Sequence, residues 1–121
     1  MSPIPPEIRG QRYISLATFR RNGKAVYTPV WFGEDNDHLY VMTSGKMGKS
    51  KRIRNNPQVQ VAPCTMRGRI TGSEFAAHAR FLKPEEFQHA RQLINAKYWL
   101  ARVSFLWPNT DTYFEITPDT A

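Results

Sequence analysis

One cysteine, Cys64, occurs among the 121 residues, so no disulfide can close within the chain. There is also no C-x-x-C pair or Cys/His cluster to hold zinc. A reducing compartment, the cytoplasm, is the expected location. Acids are scarce as well: 10 Asp and Glu face 17 Lys and Arg, a formal net charge of +7. No uncharged run approaches the ~18 residues that a membrane helix needs. The N-terminal MSPIPPEIRGQ has neither a basic n-region nor an apolar h-region, and the chain is read as soluble, unexported and without a membrane partner. Glycine-rich dinucleotide and P-loop fingerprints are missing, and no serine sits beside a histidine in a nucleophile motif. Hydrolase and nucleotidyl chemistry are therefore unsupported. His38, His78 and His89 are scattered, no two at metal-ligand spacing; they are read as surface or hydrogen-bonded histidines, and no metal site is expected.

What is present argues for a folded protein with an acidic partner. Aromatic residues make up 12% of the chain, too many for a disordered basic tail. The expected organisation is a single domain over residues 1–121. A domain this small buries about two-thirds of its unfolded surface, so a subunit interface would help to stabilise it. A homodimer is the expected assembly.

The apolar period is mostly two. YISLATF (13–19) and AVYTPVWF (25–32) are both rich in strand formers, and Asn22-Gly23 between them is a strong hairpin signal. Residues 26, 28, 30 and 32 share one face of the second strand and 27, 29 and 31 the other, so both faces carry bulky groups. EDND (34–37) is a turn, followed by strands over 38–43 and 58–62. A long strand over 69–82 is expected, with Gly72 as a bend or bulge. KPEEFQHARQLINAKY then changes period: Pro84 and two glutamates open a helix whose stripe is Phe87, Ala90, Ile94 and Tyr98. TYFEIT (112–117) reads as a final strand. Six or so antiparallel strands with helices indicate a mainly β fold, a small barrel or closed curved sheet.

The segment TSGKMGKSKRIR (43–54) concentrates cations. As a helix it has no apolar stripe, because Met47 and Ile53 lie far apart on the wheel. Like charges at i,i+3 each cost roughly 0.2–0.5 kcal/mol, so the segment is poorly explained as a packing element. Thr43, Ser44 and Gly45 end a strand where hydroxyls and free N–H groups meet a helix N-terminus, a combination that binds phosphate. Lys49 and Arg52, three apart, can reach one anion. A solvated charged loop is the competing reading. Pro29 likewise has two: an ordinary edge-strand proline, or an edge that a ligand approaches.

Three blocks carry a family resemblance: ISLATFRRNGKAVYTPVWF, YVMTSGKMGKSKRIRNNPQVQVAPCTMRGRITG and FLKPEEFQHARQLINAKY, covering most of residues 13–98. The sequence resembles the pyridoxamine 5′-phosphate oxidase-like superfamily of flavin-binding split β-barrels, and most closely its small members that use the deazaflavin F420. The resemblance implies a split β-barrel of the FMN-binding kind and a homodimer with cofactors in grooves between subunits. It also implies cofactor contacts at Thr28, Pro29, Val30 and Trp31 beside the ring, and at Thr43, Ser44, Lys49 and Arg52, of which Thr43, Lys49 and Arg52 hold the phosphate. The chain lacks the arginine–histidine substrate motif of authentic pyridoxamine 5′-phosphate oxidase, since no histidine follows His89, so vitamin B6 synthesis is not expected.

The leading reading is an oxidoreductase moving a hydride between F420 and a small organic acceptor, with FMN as the alternative cofactor. The cofactor carries that chemistry, so no catalytic residue is assigned. The acidic tail of F420 would favour the additional cations Lys46, Lys51 and Arg54. From another class comes a nucleic-acid-binding barrel, opposed by the gathering of cations at one strand–helix junction rather than along an aromatic-studded sheet; no nucleic-acid partner is expected. A third reading is a cofactor carrier without turnover. Cys64 is read as a small buried hydrophobe or a neighbour of the ring, and Trp99, Phe105 and Trp107 as pocket lining or packing.

Overall fold

The computed structural model describes residues 4–45, 47–97 and 112–119. Seven strands form one antiparallel sheet in the order β2-β1-β5-β6-β7-β4-β3, curled into a half-barrel. They are β1 (Tyr13–Phe19), β2 (Ala25–Val30), β3 (Gly33–Glu34), β4 (Leu39–Thr43), β5 (Gln58–Cys64), β6 (Phe75–Phe81) and β7 (Thr112–Pro118). Two α-helices, α1 (Gly48–Asn55) and α2 (Phe87–Lys97), interrupt the strand sequence. No helix among the described residues is long and apolar enough to cross a membrane.

The alternating pattern places the core. Ile14, Leu16, Val59, Val61, Ala77, Ala79, Val41, Phe114 and Ile116 all point to the concave face and form one buried cluster. Cross-strand partners such as Leu16 with Val61, Ala79 with Ile116 and Val41 with Phe114 stand directly opposite one another, which keeps side chains of like polarity on one face. The convex face of β4 and β7 carries Tyr40 and Tyr113, and α2 covers it with Ala90 and Ile94. Gly33 lets that helix approach: a Cβ there would lie 2.9 Å from Leu93 Cβ and 3.0 Å from the Ile94 backbone nitrogen.

Four expectations need correction. The strand expected over 69–82 begins only at Phe75; the chain first turns at Gly68 (φ +90°), and Ile70 makes a lone bridge to Cys64. Gly72 is no bulge. A Cβ at Gly72 would lie 2.6 Å from Pro63 Cγ, so the residue is glycine because two segments touch there. The second strand ends at Val30, and the chain bends to form the two-residue edge strand β3, which is too short to carry a period. The basic segment does have a buried face: Ile53 is 2% exposed, Ser50 is fully buried and Lys49 is 9% exposed. Burial of an isoleucine contributes about 1.5–3 kcal/mol, more than several like-charge contacts remove, and α1 is anchored by Ile53 in the barrel core.

Candidate anion site at the mouth of the barrel

Helix α1 follows β4 after a short loop and packs against β1. Its start is unusual. Met47 is the N-cap and supplies no side-chain acceptor, and the first turn holds no acid. The preceding loop is bound by its carbonyls: Ser50 Oγ donates to the Ser44 carbonyl at 2.8 Å and Arg54 donates to the Gly45 carbonyl at 3.0 Å. The positive end of the helix dipole is therefore left without a negative side chain among the described residues.

Three cations, Lys49, Arg52 and Arg20, lie near enough for their charges to affect one another. Arg52 donates from Nε to Thr18 Oγ1 at 2.6 Å, across from helix to β1. Thr18 is fully buried. Burial lowers the Lys49 pKa, and the neighbouring Arg52 lowers it further. Burial also lowers the Arg52 pKa, with Arg20 adding repulsion. The ion pairs among the described residues include none of Lys49, Arg52 or Arg20. A buried ammonium without a carboxylate is costly, and an anion seated between Lys49 and Arg52 would relieve that cost. Phosphate, with three oxygens for charge-assisted bonds, suits a guanidinium and an ammonium on adjacent turns.

The site residues expected from sequence are only partly brought together. Lys49 and Arg52 lie on one helix, near enough for the Arg52 charge to lower the Lys49 pKa. Thr43 closes β4, is 5% exposed and pairs with Thr112. Ser44 lies in the loop ahead of α1, with its carbonyl engaged by Ser50. Thr28, Pro29, Val30 and Trp31 do not share one surface. Thr28 stands opposite Leu16 on the concave side, Pro29 is exposed on the convex side of edge strand β2, and Val30 is buried in the core. Trp31 packs with the cluster under α2. Pro29 does occupy an edge strand, the place in a sheet where proline is tolerated. Lys46 and the aromatic cluster Trp99, Phe105 and Trp107 fall outside the described residues.

Thr18 and Arg20 were not singled out by the sequence. Their signal is faint: Thr18 is a polar residue at an inward-facing position of YISLATF, and only the strand register reveals that it faces α1. Of the outer cations, Arg54 is committed to the Gly45 carbonyl and lies 5.2 Å over the Phe81 ring, whereas Lys51 is exposed.

Several charged groups elsewhere are paired, among them Arg80 with Glu86 and Glu115. A cavity of about 330 Å³ lies beside the site, lined by Phe19, Arg20, Arg21, Gly23, Asn55 and Asn56. A larger one of about 440 Å³ lies near α2, where Lys97 Nζ meets Glu34 Oε1 at 3.1 Å and Arg9 approaches Glu34 Oε2 at 3.5 Å. The site whose cations have no ion pair among the described residues is a better ligand candidate than the larger cavity with paired charge. Each histidine has a partner: His38 Nδ1 lies 3.0 Å from Thr117 Oγ1, His78 Nδ1 2.8 Å from Asp119, and His89 Nε2 3.2 Å from Asp35. No group of three or more His, Cys, Asp or Glu among the described residues could hold a metal. Burial raises the Cys64 pKa, which disfavours the thiolate.

A family model described as Pyridoxamine 5′-phosphate oxidase matches residues 4–121. Comparison with curated protein sequences gives no match. Among solved structures, the chain is similar to HutZ, the heme storage protein from Vibrio cholerae, with a TM-score of 0.76 at 14% identity, covering 100% of this chain and 93% of that one. It is similar to a heme binding protein from Mycobacterium smegmatis, with a TM-score of 0.68 at 14% identity over 92% of this chain and 48% of the other. General Stress Protein 26 from Bacillus anthracis matches at 25% identity with a TM-score of 0.67, covering 98% of this chain and 88% of that one. The chain belongs to the pyridoxamine 5′-phosphate oxidase family, and its curled antiparallel sheet with two helices is that family's split β-barrel.

Proposed function

We propose that the protein is a deazaflavin-dependent oxidoreductase that moves a hydride between F420 and a small organic acceptor, with FMN as the alternative cofactor. The observation that carries this reading is the Lys49–Arg52 pair on α1, which has no ion-pair partner among the described residues and is joined by Arg20 and braced by Thr18. These residues fit a phosphate-bearing ligand: the anion would restore the charged form of a buried lysine and fill the unshielded start of a helix. Thr43, Lys49 and Arg52 would hold the phosphate, and the stretch Thr28, Pro29, Val30 and Trp31 would run beside the ring, with Thr28 on the concave side of β2. When bound, the cofactor supplies hydride chemistry. The chain's own residues bind it, orient it and exclude water from it.

A homodimer belongs to the same proposal. Tyr27 is 54% exposed on edge strand β2, next but one to Pro29, and a Cβ placed on Gly68 would lie 3.6 Å from Pro29 Cδ. Met66 and Ile70, 66% and 43% exposed, flank that turn. A second copy covering this surface would remove apolar area from water. Sedimentation at micromolar concentration tests it, and a monomer would count against it.

The names of two structural neighbours raise heme as a ligand. The three histidines here are spent on Thr117, Asp119 and Asp35, away from the cation site, and favour no such reading. Titration of the purified protein with F420 and with FMN tests the function: micromolar or tighter F420 binding with much weaker FMN supports it, and binding of neither removes it.

A further inference from the structure

We infer that Thr18 and Gly48 are positioning residues that fix the pose of Arg52, an inference that rests on the anion reading of this site. Position 48 and position 52 lie one turn apart on the same face of α1, and long helical side chains lean toward the N-terminus. Arg52 does so. Its Nη1 lies only 2.8 Å from where a Cβ on residue 48 would be, with Cζ at 3.5 Å. Any side chain at position 48 would occupy that space, so glycine holds the first turn open for the guanidinium.

Thr18 fixes the other edge. Its hydroxyl is fully buried on a strand, where a β-branched side chain has little rotamer freedom, and it accepts the Arg52 Nε–H at 2.6 Å. With Nε engaged, the arginine can offer an anion only its Nη1 and Nη2 hydrogens, end on. An end-on fork meets two oxygens of one phosphate or carboxylate, so the two positioning residues select bidentate oxyanions over a monatomic anion such as chloride. They also hold the guanidinium beside Lys49 and Arg20 despite mutual repulsion, so the site needs little rearrangement on binding.

Three variants test this, with FMN and F420 as probes and inorganic phosphate as competitor. Thr18→Val keeps the shape and removes the acceptor; it should weaken cofactor binding roughly tenfold, and Thr18→Ser should restore most of the loss. Gly48→Ala improves helix propensity, so it should leave the melting temperature unchanged or raised while weakening binding by a similar factor. A merely structural role would not separate stability from affinity in this way. In the ligand-free protein, the Arg52 Nε–H should give a protected NMR resonance that Thr18→Val abolishes. Unchanged affinity in both Thr18→Val and Gly48→Ala, with Arg52→Ala impaired, would overturn the positioning inference and leave the anion site standing. Unchanged affinity in Arg52→Ala would remove the anion site itself, and an Arg52 resonance as exposed to exchange in the parent as in Thr18→Val would contradict the pose directly.

Discussion

Replacing Lys49 by methionine should make the ligand-free protein more stable and the ligand-binding protein worse. Lys49 is 9% exposed, its charged form is disfavoured by burial, and no carboxylate among the described residues pairs with it. Methionine keeps an unbranched apolar stem in the same space and removes the charge. Removing an uncompensated charge of this kind belongs to the substitutions that stabilise by about 0.5–2 kcal/mol, a rise of roughly 2–8 °C for a domain of this size. Binding loses a charge-assisted bond, about 1–3 kcal/mol or roughly 5- to 150-fold in affinity. A pH signature accompanies the change. The folded pKa of Lys49 lies below 10.5, so between that value and 10.5 the unfolded chain binds more protons than the folded one. Stability therefore rises with pH across that window, and Lys49→Met should flatten the rise. Differential scanning calorimetry of both proteins at several pH values, with and without cofactor, reads all three effects. A lower melting temperature for ligand-free Lys49→Met, together with unchanged affinity, would refute the reasoning.

Other expectations concern the tail, the core and the acid limb. Lys51→Glu should weaken F420 more than an analogue cut back to its phosphate, with the difference shrinking in salt; equal losses would make Lys51 ordinary surface. Gly33→Ala should destabilise by about 1–3 kcal/mol in urea melts, because its new methyl would press on the α2 backbone, which cannot step aside. Burial works to raise the Asp35 pKa, but hydrogen bonds from the Asp37 backbone, His89, the His38 backbone and Tyr40 outweigh it and hold the value below 3.8. The stability Asp35 contributes is thus complete above pH 3.8 and lost as pH falls through its folded value, so Asp35→Asn should cost about 1–2 kcal/mol at neutral pH and soften the acid transition.

Strands with a clean period were legible before any coordinates. β1 matches its expected range of 13–19, and β4, β5 and β7 fall within a residue or two of theirs. The buried pair Ala90 and Ile94 lies on the stripe expected for α2. What escaped notice depended on contacts between distant segments. Nothing in RITGSE tells a strand from a turn whose glycine is wedged against Pro63, and β3 has two residues. The buried side of α1 was hidden for a related reason: Lys49 and Ser50 read as polar, yet a lysine stem and a hydroxyl bonded to the Ser44 carbonyl can both be enclosed. The candidate site divides in the same way. Lys49 and Arg52 are neighbours on one helix and could be paired by spacing, whereas Thr18 and Arg20 arrive from β1 through the fold. Along Thr28 to Val30 the faces alternate as the period of two predicts, with Pro29 exposed and Val30 buried.

The most direct test is a parallel titration of the parent and Arg52→Ala with F420 and FMN at one ionic strength. The parent should bind F420 at micromolar concentration or below and FMN much more weakly, and Arg52→Ala should lose roughly 5- to 150-fold while keeping its melting temperature. Equal affinity of parent and variant, or no binding of either cofactor by the parent, would contradict the account.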